Sequence, residues 1–336
     1  MAKVGLGAVA AAAGVSEATV SRVINNPTIV TSDTRKSVEA AMRSVGYRRP
    51  ASGGNLVLLI TPGLSDAFFG QLSDRMSAAL ALQGMHAVIC SAPVGGTQEF
   101  EYVSAMVDAG AVAAVFVSAS NTLIDADPSA HQLLTSRGVP FVCINGAFDG
   151  VTAPTLSAND RLAADIAVEH LWQLGHRRIG LVAGPVGNRP SDLRAEGFLA
   201  GMLRRGATAD DAPVIRHEYS VEGGTAATEA ILDSRMVSAV IAASDEMALG
   251  AIRAVRRRGL SVPTDISVVG YDDALPLEFM DPPLTTVRQP LERLAQAVVP
   301  VLSRLIKEGT GYEGELLFEP ELVIRSSTAP PSLLDL

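Results

Sequence analysis

The sequence predicts an α/β fold, with a two-lobed core of parallel sheets that carry helices on both faces and an all-α helix-turn-helix head in front. From position 56 onward, short apolar segments alternate with amphipathic helical segments, a pattern typical of parallel sheets covered on both faces. This alternation runs for roughly 230 residues and exceeds one ordinary doubly wound sheet, so we expect two lobes. The first 50 residues instead carry helix signals and an excess of basic side chains.

Length and composition exclude several classes of protein. With 336 residues, of which 48% are hydrophobic and 19% charged, the chain is globular and not disordered. No apolar segment approaches the roughly 18 to 20 residues of a bilayer span, so we expect no membrane partner. Cys90 and Cys143 lie in separate apolar segments without metal-ligand spacing, which predicts core thiols in a reducing cytoplasm and no bound metal.

Charge is distributed unevenly along the chain. Residues 1–50 contain seven basic and three acidic side chains, a balance of +4, which leaves −13 for the rest of the chain. A basic head on an acidic body predicts that the head binds a polyanion. A basic end that is merely solvated would have the same charge, so the prediction of polyanion binding also depends on the local structure of the head.

The head carries the signals of three short helices. Ala8–Ala13 favours a helix, Gly14 ends it, and Ser16 can cap a second helix that continues to Asn25. A third helix is predicted over Asp33–Ser44. Its two candidate caps are Thr31 and Ser32.

The second helix is predicted to have two different faces. The apolar face, which we expect to pack against the first helix, consists of Val20, Val23 and Ile24. The opposite face is short and polar and consists of Ala18, Ser21, Arg22 and Asn25. A face of this kind suits contact with DNA.

A specific motif runs through the same helices. It reads AGVSEATVSRVIN at residues 13–25 and is followed by Val30, Thr34-Arg35 and Gly46-Tyr47. This motif resembles the DNA-binding head of the LacI/GalR repressors. The resemblance therefore implies a double-stranded DNA operator as partner.

The resemblance also implies roles for individual side chains in the head. Those implied to face base edges in the major groove are Glu17, Ala18 and Arg22. Those assigned to the phosphates are Thr19, Ser21, Asn25, Thr31 and Thr34. The physics supports Arg22, because a guanidinium can bridge O6 and N7 of guanine, a contact worth roughly 1–3 kcal/mol of discrimination.

Seven apolar segments after the head are predicted strands, with amphipathic helices between them. The strands are Leu56–Ile60, Ala87–Cys90, Ala114–Val117, Phe141–Ile144, Ile179–Val182, Val240–Ala243 and Ile266–Val269. The clearest helices are Phe69–Gln83, Arg161–Leu174 and Glu246–Arg258. In parallel sheets ligands bind beyond the carboxyl ends of the strands. Hydrogen-bonding groups stand at those ends, namely Thr61, Ser91, Ser118, Asn145, Ser244 and Asp272, which predicts a site for a polar small molecule.

The resemblance to the same family continues through this region. Its marks include LGHRRIG at 174–180, SDEMALG at 244–250, DISVVGYDD at 265–273 and PPLTTV at 282–287. It implies a DNA-binding domain at 1–49, a linker at 50–55 and a core at 56–336 like that of periplasmic sugar-binding proteins. The N-lobe is expected at about 56–174 and 288–317, and the C-lobe at about 176–287 and 318–328.

The resemblance places a small-molecule effector between the lobes. The residues expected to contact it are Phe68, Ser118, Asn145, Asp160, Arg194, Tyr219, Ser244 and Asp272. Arg194 and Asp272 can bind vicinal hydroxyls and Tyr219 can cover the apolar face of a sugar ring, so we expect a carbohydrate. Structural roles stay open for some of them: Asp160 and Asp272 can be caps, and Arg194 a solvated helix residue.

Two other function classes are less favoured. A secreted sugar-binding protein would need a signal peptide, and the loose match at residues 1–15 is interrupted by Gly5 and Gly7. A dinucleotide-dependent enzyme is suggested by the segment Gly184–Gly187, but that segment contains Pro185 and lacks G-x-G-x-x-G. We therefore expect no catalytic residues and no cofactor.

The linker between head and core departs from the usual pattern of the family. Relatives in this family usually carry a short hinge helix with an A-x-x-L core before the first core strand. Here residues 48–55 contain one proline, two adjacent glycines and no leucine, which favours a flexible tether, with Arg48 and Arg49 contacting DNA.

Only eight residues follow Thr328, without the heptads of a tetramerising coiled coil, so we expect a homodimer on a pseudo-palindromic site.

Overall fold

The structure is a computed structural model that describes residues 6–25, 30–45, 54–94, 96–148, 150–151, 153–234, 237–273, 276–309 and 314–332. The chain divides into two compact units, residues 1–54 and residues 55–336. The division falls inside the expected linker. Each unit is described by itself below.

The head contains three helices, α1 (Leu6–Ala13), α2 (Glu17–Asn25) and α3 (Ser32–Ser44). Ser16 caps α2, because its Oγ accepts a hydrogen bond from the backbone N–H of Thr19 at 3.1 Å. Of the two candidate caps of α3 it is Thr31 that acts, with its Oγ1 accepting from the N–H of Thr34 at 3.3 Å.

One small core joins the three head helices. Val20 and Val23 on the predicted apolar face of α2 are buried, which confirms the assignment of that face. The side chain of Ile24, the third residue expected there, lies outside the described part of the chain. The buried residues of this core are Val9, Ala10, Val20, Val23, Val38 and Ala41.

The second unit alternates strands and helices, as the sequence predicts. In chain order its elements are β1 (Leu56–Thr61), α4 (Ala67–Ala81), β2 (His86–Ser91), α5 (Gln98–Asp108), β3 (Ala113–Val117), α6 (Ser129–Arg137), β4 (Phe141–Ile144), β5 (Thr155–Ala158), α7 (Asp160–Leu174), β6 (Ile179–Ala183), α8 (Arg189–Arg204), β7 (Val214–Arg216), α9 (Val221–Ser234), β8 (Ala239–Ala242), α10 (Asp245–Arg257), β9 (Ser267–Asp272), β10 (Thr285–Arg288), α11 (Leu291–Glu308), β11 (Glu315–Phe318) and β12 (Glu321–Val323).

Two six-stranded sheets form the two lobes. The first sheet has the order β11-β5-β4-β3-β1-β2, and all its pairs are parallel. The second has the order β12-β10-β9-β8-β6-β7 and is parallel except for β10 with β12. Helices α4 and α11 cover one face of the first sheet, and α7 with α8 and α9 with α10 cover the two faces of the second.

Helices α9 and α10 lie so close together that their backbones touch. A Cβ on Gly224 of α9 would lie 2.2 Å from the carbonyl oxygen of Met247, and one on Gly250 of α10 would lie 2.2 Å from that of Val221. Neither position has room for a side chain. This packing fixes the start of α10, which borders the cleft between the lobes.

The structure corrects three expectations about the core. The helix Asp160–Leu174, expected in the N-lobe, packs in the second lobe, because its apolar residues join the core around Phe198 and Ile179. Strand β2 is not buried on both faces, since it forms an edge of its sheet and is partly exposed. Five strands of only three or four residues were not predicted: β5, β7, β10, β11 and β12.

The described chain passes between the lobes at three places, after β5, after β10 and between β11 and β12. The lobes also touch away from these crossovers. The N–H of Ile124 in the first lobe donates to the carbonyl of Gly187 in the second at 3.0 Å, and Leu123 bridges to Asn188. No helix in the described ranges has the length and apolar character needed to cross a membrane.

Candidate functional site

A cavity of about 490 Å³ lies between the two lobes. It opens beyond the carboxyl ends of β1, β3, β4, β8 and β9, where the sequence predicts a ligand. The residues that line it are Pro62, Gly63, Ser65, Asp66, Phe68, Phe69, Val94, Ser118, Leu123, Asn145, Pro185, Asn188, Pro190, Arg194, Glu218, Tyr219, Ala243, Ser244, Glu246, Asp272 and Gln289.

Seven of the eight residues expected to contact an effector line this cavity. They are Phe68, Ser118, Asn145, Arg194, Tyr219, Ser244 and Asp272. Asp160 does not line it. Two of the strand-end residues also lie elsewhere: Thr61 is fully buried, and Ser91 is exposed at the end of the edge strand β2.

Arg194 of α8 is the most constrained side chain of the cavity wall. It is 8% exposed, and its Nε donates to Asp160 Oδ1 at 2.8 Å. Its Nη1 donates to the carbonyl of Ala243 and to the hydroxyl of Tyr219 at 3.3 Å. The guanidinium also lies over the ring of Tyr271, 3.9 Å from the ring centroid. Arg194 is therefore a buried, fixed cation and not a solvated helix residue.

Asp160 stands behind Arg194 and positions it. The carboxylate is 3% exposed and also accepts a hydrogen bond from the Tyr271 hydroxyl at 2.7 Å. Burial disfavours the charge of Arg194, but the attraction of Asp160 and the other groups around it outweighs burial and raises the pKa of Arg194 above its ordinary value. Asp160 therefore holds Arg194 at the cavity wall without lining the cavity itself.

Asp272 lines the same cavity as Arg194 and has an unusual backbone. Its φ is +115°, a region that L-residues rarely adopt. Gln289 Nε2 donates to its Oδ1 at 2.6 Å. Burial, and then the negative charges of Asp245 and Asp66, raise the pKa of Asp272 well above its ordinary value. Its carboxyl is therefore set up to interact with hydroxyl groups of a ligand.

The first lobe contributes an amide and an aromatic pair. Asn145 donates from Nδ2 to Ser118 Oγ at 3.0 Å and accepts at Oδ1 from the N–H of Ala158 at 3.2 Å. Phe68 and Phe69 meet edge to face with ring centroids 5.1 Å apart at the start of α4. Together with the aromatic ring of Tyr219 from the second lobe, these groups give the cavity both hydrogen-bonding and apolar walls.

Ser244 has a structural role as well as a place in the wall. Its Oγ caps α10 by accepting from the N–H of Met247 at 3.2 Å. A ligand can therefore use Ser244 as a hydroxyl donor while its cap bond stays in place.

Sequence reasoning missed several residues of the cavity wall. Those with polar or aromatic side chains are Ser65, Asp66, Phe69, Asn188, Glu218, Glu246 and Gln289. Asp66 caps α4, a local signal that could have marked it, since its carboxylate accepts from the N–H of Phe68 at 2.8 Å. Gln289 follows β10, and without a prediction of that strand nothing identified it as a strand-end residue. Its Oε1 is buried without a hydrogen-bond partner among the described residues.

The head presents part of the expected DNA-contacting set on its surface. Exposed residues are Glu17, Ala18, Arg22 and Thr31, and partly buried ones are Thr19, Ser21 and Thr34. Ala18 and Arg22 lie one turn apart on the exposed face of α2. The side chain of Asn25, and the residues Arg48 and Arg49, lie outside the described ranges. Within those ranges no cluster of three or more His, Cys, Asp or Glu is arranged to hold a metal ion.

Comparisons with known proteins cover both units. Residues 6–50 match the model of bacterial regulatory proteins of the lacI family, and residues 168–328 match the periplasmic binding protein-like domain. The HTH-type transcriptional regulator MalR of Streptomyces coelicolor is 43% identical over 329 residues, which is 96% of this chain and 95% of MalR.

Solved structures of the same kind superpose on nearly the whole chain. The transcriptional regulator CelR in complex with cellobiose is 31% identical with a TM-score of 0.74 and covers 96% of this chain and 99% of its own. The lac repressor dimer bound to operator and the anti-inducer ONPF is 28% identical with a TM-score of 0.70, over 98% of this chain and 100% of its own.

Proposed function

Because this chain belongs to the lacI family of bacterial regulatory proteins, we propose that it is a transcriptional regulator whose binding to operator DNA is controlled by a carbohydrate held between the lobes. The observation that carries the proposal is the cavity itself, whose polar groups come from both lobes. A ligand that bonds to both lobes at once stabilises one arrangement of them over another. Such a shift of population is how an effector can change the affinity for DNA.

A carbohydrate fits the chemistry of the cavity wall. Arg194 offers charge-assisted donors, Asp272 offers an acceptor, and Tyr219 offers an aromatic face for the C–H side of a sugar ring. CelR, which this chain resembles over nearly its whole length, was solved with cellobiose. These features support direct contacts between the ligand and the seven predicted residues that line the cavity, and a positioning role for Asp160.

The head is proposed to bind one half of a pseudo-palindromic operator. Glu17, Ala18 and Arg22 on the exposed face of α2 are assigned to base edges, and the phosphate contacts are assigned to Thr19, Ser21, Asn25, Thr31, Thr34, Arg48 and Arg49. We propose a homodimer, because two symmetry-related heads match a symmetric site. We also propose residues 1–49 as the DNA-binding domain, 50–55 as the linker, a cytoplasmic location and no catalytic activity.

The proposal is tested by finding the operator and then the effector. Selection from a random DNA pool identifies the site, and fluorescence anisotropy measures its affinity with and without maltose, cellobiose or ribose. We expect one sugar to change the operator affinity and to raise the melting temperature, since occupancy stabilises the folded state. Recovery of no preferred sequence, or an operator affinity that no sugar changes, would count against it.

The role of Arg22 is tested separately. Arg22→Ala should lower the ratio of operator affinity to random-DNA affinity by at least roughly tenfold, because it removes a contact to a base edge. Lys36→Ala on the exposed side of α3 is the matched control: it removes one positive charge and should weaken both affinities alike. A ratio that Arg22→Ala leaves unchanged would rule out the base contact.

A further inference from the structure

The cavity between the lobes contains an excess of negative charge. Four acidic side chains line it: the buried Asp272, whose pKa is raised well above its ordinary value, and Asp66, Glu218 and Glu246. Among the described residues that line it, Arg194 alone is cationic, and its charge is already paired with Asp160 at 2.8 Å. The balance of charge that a ligand meets is therefore negative.

Two helix N-termini at the cavity, those of α4 and α10, do not offset this charge. The N-terminus of a helix ordinarily attracts a phosphate or carboxylate of a ligand. Here the N-terminus of α4 is occupied by the Asp66 carboxylate, which accepts from the N–H of Phe68 at 2.8 Å. The first turn of α10 carries Asp245 and Glu246 behind its Ser244 cap. At the starts of α4 and α10 the protein's own carboxylates thus take the place where an anionic group of a ligand would bind.

The negative charge of Asp66 acts across the cleft on Glu246. Burial raises the pKa of Glu246, and the negative charge of Asp66 in the other lobe raises it further. Burial also raises the pKa of Asp66, although its bond from the Phe68 N–H opposes this. A carboxylate that disfavours the charge of Glu246 across the cleft will also disfavour an added anion in the same space.

One buried acceptor of the cavity wall, the Oε1 atom of Gln289, lacks a hydrogen-bond donor among the described residues. Gln289 is 3% exposed, its Nε2 is taken by Asp272, and its Oε1 accepts no hydrogen bond from the described residues. A buried amide oxygen without a partner is costly, so a ligand that donates to it gains affinity. Hydroxyl groups supply such donors, whereas phosphate and carboxylate groups supply acceptors.

We propose that this cavity selects uncharged, hydroxyl-rich sugars and excludes their phosphorylated or acidic derivatives, with Asp66 and Glu246 as the residues that set the exclusion. The inference rests on the proposed function, because it specifies the class of carbohydrate that the same cavity takes. Asp66 and Glu246 come from opposite lobes, so a bound phosphate would meet a carboxylate on both sides.

The test compares matched neutral and anionic sugars by isothermal titration calorimetry. The neutral probes are maltose, cellobiose and ribose, and the anionic ones are maltose 6′-phosphate, cellobiose 6′-phosphate and ribose 5-phosphate. For the neutral sugar that binds, the phosphate should bind weaker by on the order of 100-fold, because a dianion meets several uncompensated charges. The difference should shrink as the salt concentration rises.

Isosteric variants separate charge from size. Asp66→Asn with Glu246→Gln keeps the volume of both side chains and the capping oxygen of residue 66, and should reduce the discrimination by on the order of tenfold. Glu101→Gln with Glu308→Gln is the matched control, because both are exposed carboxylates outside the cavity, and it should leave the discrimination unchanged. Melting curves verify that both double variants fold.

Each outcome has a distinct meaning. A phosphate that binds as tightly as its neutral sugar overturns the exclusion and leaves a carbohydrate-controlled regulator in place. If the Asp66→Asn/Glu246→Gln variant discriminates between neutral and phosphorylated sugars as strongly as the wild type, these two carboxylates do not set the exclusion. Failure of all six sugars to bind overturns the carbohydrate effector and the exclusion together.

Discussion

Replacement of Arg194 by methionine should destabilise the second lobe as well as abolish the effector response. The substitution keeps most of the side-chain volume and removes the charge. It leaves Asp160, whose side chain is 2% exposed, with the Tyr271 hydroxyl as its remaining partner among the described residues. It also removes the hydrogen bond that the Arg194 guanidinium donates to the buried carbonyl of Ala243.

The expected loss of stability in Arg194→Met follows from the burial of the Arg194–Asp160 ion pair. The side chains of Arg194 and Asp160 are 10% and 2% exposed, so solvent screens their interaction little. Removal of one partner of a buried ion pair costs about 3–5 kcal/mol, because the other charge stays buried and uncompensated. The double variant Arg194→Met/Asp160→Asn removes both charges and should recover about 2–3 kcal/mol of that loss.

Urea unfolding followed by the fluorescence of Trp172 measures the effect. Trp172 is the one tryptophan of the chain and lies in α7, the helix that begins at Asp160, so its signal reports on the second lobe. Arg161→Met is the matched control. Its pair with Glu196 also joins α7 to α8, but both side chains are more than half exposed, and its loss should cost less than about 1 kcal/mol.

Two results would refute the reasoning about Arg194. One is a loss of less than about 1 kcal/mol in Arg194→Met, as found for exposed pairs. The other is a double variant that is no more stable than Arg194→Met, which would show that the uncompensated carboxylate is not the source of the cost.

Three further predictions concern packing, thiol chemistry and pH. Gly224→Ala should cost about 1–3 kcal/mol, because its Cβ would lie 2.2 Å from the Met247 carbonyl oxygen; an unchanged urea midpoint would contradict this. Burial raises the pKa of the Cys143 thiol to about 12, so a disulfide reagent at mildly alkaline pH should label the partly exposed Cys90 and reach Cys143 only on unfolding. Burial lowers the pKa of His131 in the folded protein, so the unfolded chain binds the extra proton more readily and this residue reduces stability as the pH falls through 6.5. The variant His131→Phe should therefore lose less stability than the wild type between about pH 7.5 and 5.5, and identical losses would contradict the assignment.

The sequence by itself determined the class of fold and the nature of the head. Helix caps, glycine stops and apolar periodicity act within a few residues, so the helices of the head and the buried strands could be predicted from local patterns. The specific motif at residues 13–25 assigned the head to DNA binding. The strands that escaped prediction, such as β5 and β11, are four residues long or shorter, and pairing with their neighbours in the sheet makes them strands.

The tertiary structure alone decided which polar residues share the cavity and what each does there. The family resemblance placed Asp160 among the residues that touch the ligand, but the packing of α7 against α8 turns it toward Arg194, and it does not line the cavity. Asp66 and Glu246 carry no common signal in the sequence and meet only because the two lobes face each other. Local patterns determine the elements, whereas the environment of a charged side chain depends on distant segments that packing brings together, and that environment sets its charge, its partners and its role.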